Sequence, residues 1–223
     1  MSEKLKNFIY KNIYQNILSN NMYEIIELKR KRKYYKNKII FIHVPKAAGT
    51  SISYSVYSRT LGHFKARLLK KVLGDLFDKS FKFSVVRNPY NRVRSAYKFV
   101  KQNGTGIMGI RNKKVYSSYK FDTFESFVKL WLKETDITKE DYVFQPQYLF
   151  THDENKNILL DKVWKLEEFE KFTREIIHYI DIEQIYHLNE SSKDKKEYVW
   201  PEELREIVYE KYKDDFLLFG YEK

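Results

Sequence analysis

The chain has 223 residues, enough for one domain with a substantial core and short for two. It contains no cysteine, which excludes a disulfide scaffold, thiolate metal sites and a cysteine nucleophile. Its net charge of +12 sits mostly at one end: residues 1–38 hold ten Lys/Arg against three Glu, a net +7, leaving +5 for the other 185 residues, so general polyanion affinity of the body is not implied.

Leu5, Ile9, Ile13 and Ile17 recur every four residues with Phe8 beside them, predicting an amphipathic helix over residues 4–18. Ser19-Asn20-Asn21 interrupts it, and a second helical segment follows from Met22 to about Lys33. Two readings of this basic arm stand side by side: a helix packed on the domain followed by a solvated stretch, or an arm for a membrane surface or a partner. No apolar run approaches the roughly 20 residues needed to cross a bilayer, and no signal-peptide pattern opens the chain. The expectation is a cytoplasmic protein, divided into an arm over 1–38 and a domain over 39–223.

From residue 39 strands and helices alternate. Ile39–Val44 reads as a buried strand, Thr50–Thr60 and Ala66–Leu76 as helices, Phe81–Val86 as a second strand, and Pro89–Lys101 as a helix with proline in its first turn. Residues 103–118 carry Gly104, Gly106 and Gly109 and read as a mobile loop, and Asp122-Thr-Phe-Glu125 as a capping box opening a helix to about Glu134. Short strands are expected at Ile158–Leu160 and Lys162–Trp164, a helix over Phe169–Ile180, and a last helix starting at Pro201 with Leu204, Ile207, Val208 and Tyr212 on its core face. This alternation predicts an α/β fold: one P-loop-like domain with a central, mostly parallel sheet flanked by helices.

Two strand ends carry chemistry. "IIFIHVPKAAGTS" runs from a strand into Lys46, Ala47, Ala48, Gly49, Thr50 and Ser51, and then into a helix. In an α/β sheet this turn lies at the carboxyl edge, where ligands bind. Small residues let main-chain N–H groups approach an anion, the helix N-terminus adds partial positive charge, two hydroxyls donate, and Lys46 adds a full charge. The stretch is not a Walker A loop, because Lys46 precedes Gly49 rather than following a second glycine. "FKFSVVRNPYNRVRSAYKF" repeats the logic, with Arg87 directly after the second strand and Ser95 about two helical turns further on. Arginine's planar fork suits a phosphate. Arg92 and Arg94 cannot both share the face of Ser95, so one is expected in solvent or in a salt bridge.

Together these stretches resemble the signature pair of the sulfotransferases that use 3′-phosphoadenosine 5′-phosphosulfate, most closely the carbohydrate sulfotransferase branch. "HVPKAAGTS" resembles the loop that binds the 5′-phosphosulfate, and "VVRNPYNRVRSAY" the segment that binds the 3′-phosphate. "LGHFKARLLKK" is similar to that branch's His-x-x-Ala helix start. "HLNESSKDKKEYVWPEELREIVYEKYKDDFLLFGY" is similar to its C-terminal end, a His-x-Asn-x-Ser stretch, a helix and an Asp-x-x-x-Phe-Gly-Tyr close. The likeness covers about residue 39 to the end. It lacks the transmembrane anchor and cysteines of Golgi members, implying a soluble, bacterial-type enzyme. The resemblance implies that Lys46, Ala47, Ala48, Gly49, Thr50 and Ser51 hold the 5′-phosphosulfate, that Arg87 and Ser95 hold the 3′-phosphate, and that His63 is the general base. It also implies a carbohydrate acceptor, adenosine 3′,5′-bisphosphate as product, and no metal.

Sulfuryl transfer needs a base for the acceptor hydroxyl and positive charge at the leaving oxygen, which a histidine and Lys46 supply. Of the five histidines, His43 sits at a strand end, where packing beneath the loop competes with a role as base. His178 reads as structural within its helix, and His152 lies in a polar loop. Two alternatives compete. A nucleotide or sugar kinase expects a Walker lysine and an acidic magnesium ligand after a strand, where this chain has Arg87. A non-catalytic module for nucleic acid or anionic lipid expects a dispersed basic face with aromatic platforms, which the body lacks, so no nucleic-acid partner is expected.

Overall fold

The computed structural model describes residues 38–104, 109–181 and 198–223, together with Tyr34 and Ile185. The two expected N-terminal helices, His187 with its His-x-Asn-x-Ser stretch, and residues 105–108 of the glycine-bearing loop lie outside the described residues.

Three strands, β1 (Ile39–Ile42), β2 (Phe81–Val86) and β3 (Lys162–Lys165), form a sheet in that order, and both pairings are parallel. Near-continuous apolar runs suit strands covered on both faces. β1 and β2 fit this rule, with Phe41 beside Phe83 in the register and Ile40, Ile42, Val85 and Val86 all within 1% of full burial. The one hydroxyl buried between them, Ser84, donates to the Ile42 carbonyl at 2.7 Å. The outer edge of β1 is closed by Tyr57, whose hydroxyl accepts from Phe41 N at 2.8 Å and donates to Ile39 O at 3.1 Å, so these edge groups are paired. Tyr34 packs edge-on against Tyr57 with ring centroids 5.6 Å apart and is itself buried.

The connections run through α1 (Gly49–Tyr57), α2 (Ala66–Leu73) and α3 (Asp75–Lys79) before β2. After β2 come α4 (Pro89–Lys101), α5 (Lys113–Tyr116), α6 (Phe124–Ser126), a π-helical stretch over Phe127–Leu132, and α7 (Tyr148–Thr151). After β3 come α8 (Phe169–Ile176) and α9 (Glu202–Phe219). One apolar cluster surrounds the sheet with α1, α2 and α8. A second joins α4, the π stretch and α9. No helix among the described residues is long and apolar enough to cross a membrane.

Several elements differ from expectation. The helix expected to reach Leu76 stops at Gly74, whose φ of 52° interrupts the turn. α1 likewise ends at Ser58 in the left-handed region, and α8 stops at Ile176. The predicted strand at Ile158–Leu160 is a single antiparallel bridge between Ile158 and His152, because Leu159 N donates to Thr151 O instead of to a sheet neighbour. Residues 109–118 are not all loop: α5 lies there, with Tyr116 buried and bonded to Asp141 at 2.9 Å. The cap expected at Asp122 is Thr123, whose hydroxyl accepts from Ser126 N, and the helix behind it widens into the π stretch that carries Phe127, Val128, Trp131 and Leu132 into the core. Along α9 the buried face adds Asp215, Phe216 and Phe219 to Leu204, Val208 and Tyr212, while Ile207 is only partly buried.

Candidate active site

The carboxyl ends of all three strands deliver polar residues to one region. After β1 the chain turns through residues 45–48 into α1. Lys46 (φ 68°) and Ala48 (φ 57°) both adopt the left-handed region, a conformation costing about 1–3 kcal/mol for a residue with a side chain. Alternating conformations of this kind turn successive N–H groups into a concavity suited to an anion. The N-cap residue of α1 is Ala48, whose side chain makes no cap hydrogen bond to the N-terminal N–H groups. Gly49 is required sterically. A Cβ there would collide with the imidazole of His43, which fills the space beneath the loop.

Lys46 is half-buried, with Nζ 4.5 Å from the centre of the Phe99 ring on α4. Burial, reinforced by the charges of Arg87 and Arg92, pushes its ammonium down to about 8. Arg87 follows β2 directly, and its Nη1 donates to the Lys46 carbonyl at 3.4 Å, joining the two loops. Burial also lowers the Arg87 guanidinium, opposed by the nearby charge of Glu167. Among the described residues neither cation makes an ion pair with a carboxylate. Two partly desolvated cations close together, neither ion-paired to a carboxylate among the described residues, suit an anionic ligand group.

Ser95 is half-buried on α4. Its helical neighbours at i−3 and i+4, Arg92 and Phe99, both meet the residue 45–46 loop, so Ser95 lies on the helix face turned to that loop. Asn88 begins α4, its side-chain oxygen accepting from Tyr90 N at 3.0 Å and Asn91 N at 3.4 Å, with Pro89 in the first turn. Ala47 and Ser51 are buried, while Ala48 and Thr50 are half-buried along the loop.

The expectation that Arg92 or Arg94 is solvated or salt-bridged is corrected. Arg92 is 1% exposed and donates to three main-chain carbonyls: Pro45 through Nε at 3.0 Å, and Gln145 and Tyr142 through Nη2 at 2.8 and 3.4 Å. It ties the loop after β1 to the segment before α7. Arg94 stacks on Tyr198, 4.3 Å from the ring centre.

His63 stands beside the loop. Its Nδ1 lies 3.0 Å from the His43 carbonyl, and the two rings pack with centroids 4.0 Å apart. A carbonyl only accepts, so Nδ1 carries the proton and Nε2 keeps the lone pair a base needs. His43 is buried, held well below the usual imidazole range by desolvation, then by His63 and Lys46, and its Nδ1 has no hydrogen-bond partner among the described residues. It packs beneath the loop. His152 is also buried, its Nδ1 2.8 Å from the Thr151 hydroxyl, and His178 is exposed in the turn after α8.

Sequence reasoning missed Gln147, Glu167 and Asp215. Gln147 and Glu167 hold the main chain of Arg87 and Asn88, and Asp215 holds Gln147. No curated protein and no solved structure matched the chain. The model of the sulfotransferase family matches residues 34–222, which takes in both strand-end loops, His63 and the C-terminal close. The chain belongs to the sulfotransferase family, enzymes that transfer sulfuryl groups.

Proposed function

We propose that the protein transfers the sulfuryl group of 3′-phosphoadenosine 5′-phosphosulfate to a hydroxyl of a carbohydrate, a glycan or surface polysaccharide, by in-line displacement. The observation that carries this is the facing pair Lys46 and Arg87, two half-buried cations at adjacent strand ends without a carboxylate in ion-pair contact among the described residues. When bound, the donor supplies the activated sulfuryl group and a phosphate leaving group. Main-chain N–H groups of residues 46–51 and the hydroxyls of Thr50 and Ser51 hold its 5′ end. Lys46 places positive charge where the leaving oxygen gathers negative charge. Arg87 and Ser95 hold the 3′-phosphate. His63 Nε2 removes the acceptor's hydroxyl proton as that oxygen attacks sulfur. The carbohydrate acceptor is supported by the likeness of "HVPKAAGTS", "VVRNPYNRVRSAY" and the C-terminal close to the carbohydrate branch.

A thermal-shift comparison tests the donor. Adenosine 3′,5′-bisphosphate at a hundredfold excess over Kd should stabilise the protein without any added metal by about 2.7 kcal/mol. Stabilisation by ATP with magnesium but not by the bisphosphate would refute the proposal. Transfer of labelled sulfate to a panel of neutral and acidic oligosaccharides tests the acceptor class, and transfer only to non-carbohydrate alcohols would overturn it.

A further inference from the structure

The C-terminal Asp-x-x-x-Phe-Gly-Tyr close and the residues it touches have no part in the chemistry above. They converge on the main chain of Arg87 and Asn88. The β2–β3 ladder ends with Val86 beside Lys165, so the next residue, Arg87, has left the sheet pairing. The amide of Gln147 takes over: its Oε1 accepts from Arg87 N at 2.9 Å, and its Nε2 donates to Arg87 O at 2.8 Å. One side chain thus imitates a neighbouring strand for one residue. Gln147 is completely buried, so water is no substitute partner.

Gln147 is itself fixed by Asp215 on α9. Both carboxylate oxygens are used, Oδ2 accepting from Gln147 N at 2.8 Å and Oδ1 from Tyr148 N at 2.9 Å. Asp215 is also fully buried. Keeping a carboxylate there is costly, and burial pushes this carboxyl up to about 6 even with Arg92 and the two N–H donors beside it. The next residue is held in the same manner. Asn88 N donates to Glu167 Oε1 at 2.8 Å, and Glu167 Oε2 accepts from the Tyr221 hydroxyl at 3.0 Å. Asp215 and Tyr221, the first and last residues of the close, therefore act on two consecutive residues through one intermediary each.

We propose that Gln147 and Glu167, anchored by Asp215 and Tyr221, are positioning residues that set where Arg87 presents its guanidinium, and so set the preference for a nucleotide bearing a 3′-phosphate. This rests on the reading of Arg87 as the 3′-phosphate ligand. Arginine has a long, flexible side chain, so its aim depends on how firmly its own main chain is held, and a displacement near 1 Å is enough to weaken a fork-shaped contact severely. A merely structural role for the amide would affect both nucleotides alike.

The test uses the full chain and calorimetric titration with adenosine 3′,5′-bisphosphate and with adenosine 5′-monophosphate, which lacks the 3′-phosphate. Gln147→Glu keeps the size of the side chain but sets an oxygen against the Arg87 carbonyl where a donor stood. Its preference for the bisphosphate should fall about tenfold, with monophosphate affinity changed less than about twofold, as expected when one contact loses its alignment. In turnover the same variant should raise the donor KM and leave kcat at saturating donor nearly unchanged. Tyr221→Phe removes only a half-buried hydroxyl and stays folded even if Gln147→Glu does not; its preference should fall about threefold, since the Glu167 clamp is loosened rather than lost. Equal losses for both nucleotides, or an unchanged preference in every folded variant, would overturn the proposal. Arg87→Ala is run in parallel: an unchanged preference there would sink the reading of Arg87 itself, an outcome distinct from failure of the positioning residues alone.

Discussion

His63 Nδ1 donates to the main-chain oxygen of His43 at 3.0 Å while the two imidazoles pack at a tilt of 51°, 4.0 Å between centroids. The contact uses the main chain of His43, not its ring nitrogens. Orientation of His63 therefore depends on the path of the strand end, and its tautomer on a carbonyl that only accepts. The desolvated ring of His43, held neutral, keeps a second positive charge away from His63.

A proton acceptor positioned in this way should matter only once the acceptor hydroxyl begins to lose its proton. His63→Ala should lower kcat by about 10²–10⁴-fold, the usual contribution of a general base, and leave bisphosphate affinity nearly unchanged. Single-turnover rates alongside calorimetric Kd values separate the two effects. If the His63→Ala enzyme turns over at the wild-type rate while a folded, donor-binding His43→Ala enzyme is dead, the base is His43.

How much of this was readable beforehand depended on the range of the interaction. β2 and α4 are legible because a buried parallel strand is a continuous apolar run and Asn88-Pro89 carries its own cap and first turn. The two strand-end loops proposed to hold anions are legible for the same local reason, each being a strand end followed by charge and small or turn-forming residues. Gln147 lies 60 positions from Arg87, and Asp215 lies 68 positions from Gln147, so no local pattern joins them. Arg92 was within reach, since 92, 95 and 99 share a helical face, but a buried arginine satisfied by carbonyls alone runs against the usual rule for charged side chains. The π stretch follows from tertiary packing. Phe121, Phe127, Trp131 and Phe144 form one aromatic cluster, and seating it takes precedence over regular α geometry.

Lys46 should give the proposed donor site a pH limit. Its ammonium titrates near 8 in the folded protein, below the ordinary lysine range, so the free protein binds fewer protons there than the unfolded chain and gains stability as pH rises above about 8. Binding runs the opposite way. If Lys46 holds the nucleotide as proposed, bisphosphate affinity should be greater just below about 8, where Lys46 is charged, and should fall as pH rises through that value. Just above it, binding should take up a proton, measurable from calorimetric titrations in buffers of different ionisation enthalpy. Lys46→Arg should flatten this profile, because a guanidinium stays charged across the range. A wild-type affinity independent of pH up to 10 would show that Lys46 does not touch the bound nucleotide.

The steric relation between Gly49 and His43 can be tested by a double-mutant cycle. Gly49 begins α1 against the His43 imidazole, so closely that an added Cβ would collide with the ring. Gly49→Ala should cost about 1–3 kcal/mol of stability, since neither the strand end nor the helix start can retreat without breaking the packing beneath the loop. His43→Ala removes the obstructing ring and opens space beneath the same point, at a cost of its own. In that background the added methyl group enters the vacated space, so the double variant should be more stable than the sum of the singles, with a coupling of about 1–3 kcal/mol. The His63 hydrogen bond is expected to survive in His43→Ala because its acceptor is main chain. Donor affinity should follow the same pattern as stability: reduced in Gly49→Ala, where the loop is pushed outward, and recovered in the double variant. Strict additivity would mean that the glycine serves the approach of the anion to the main chain rather than the ring below it, and donor affinity would then remain low in the double variant.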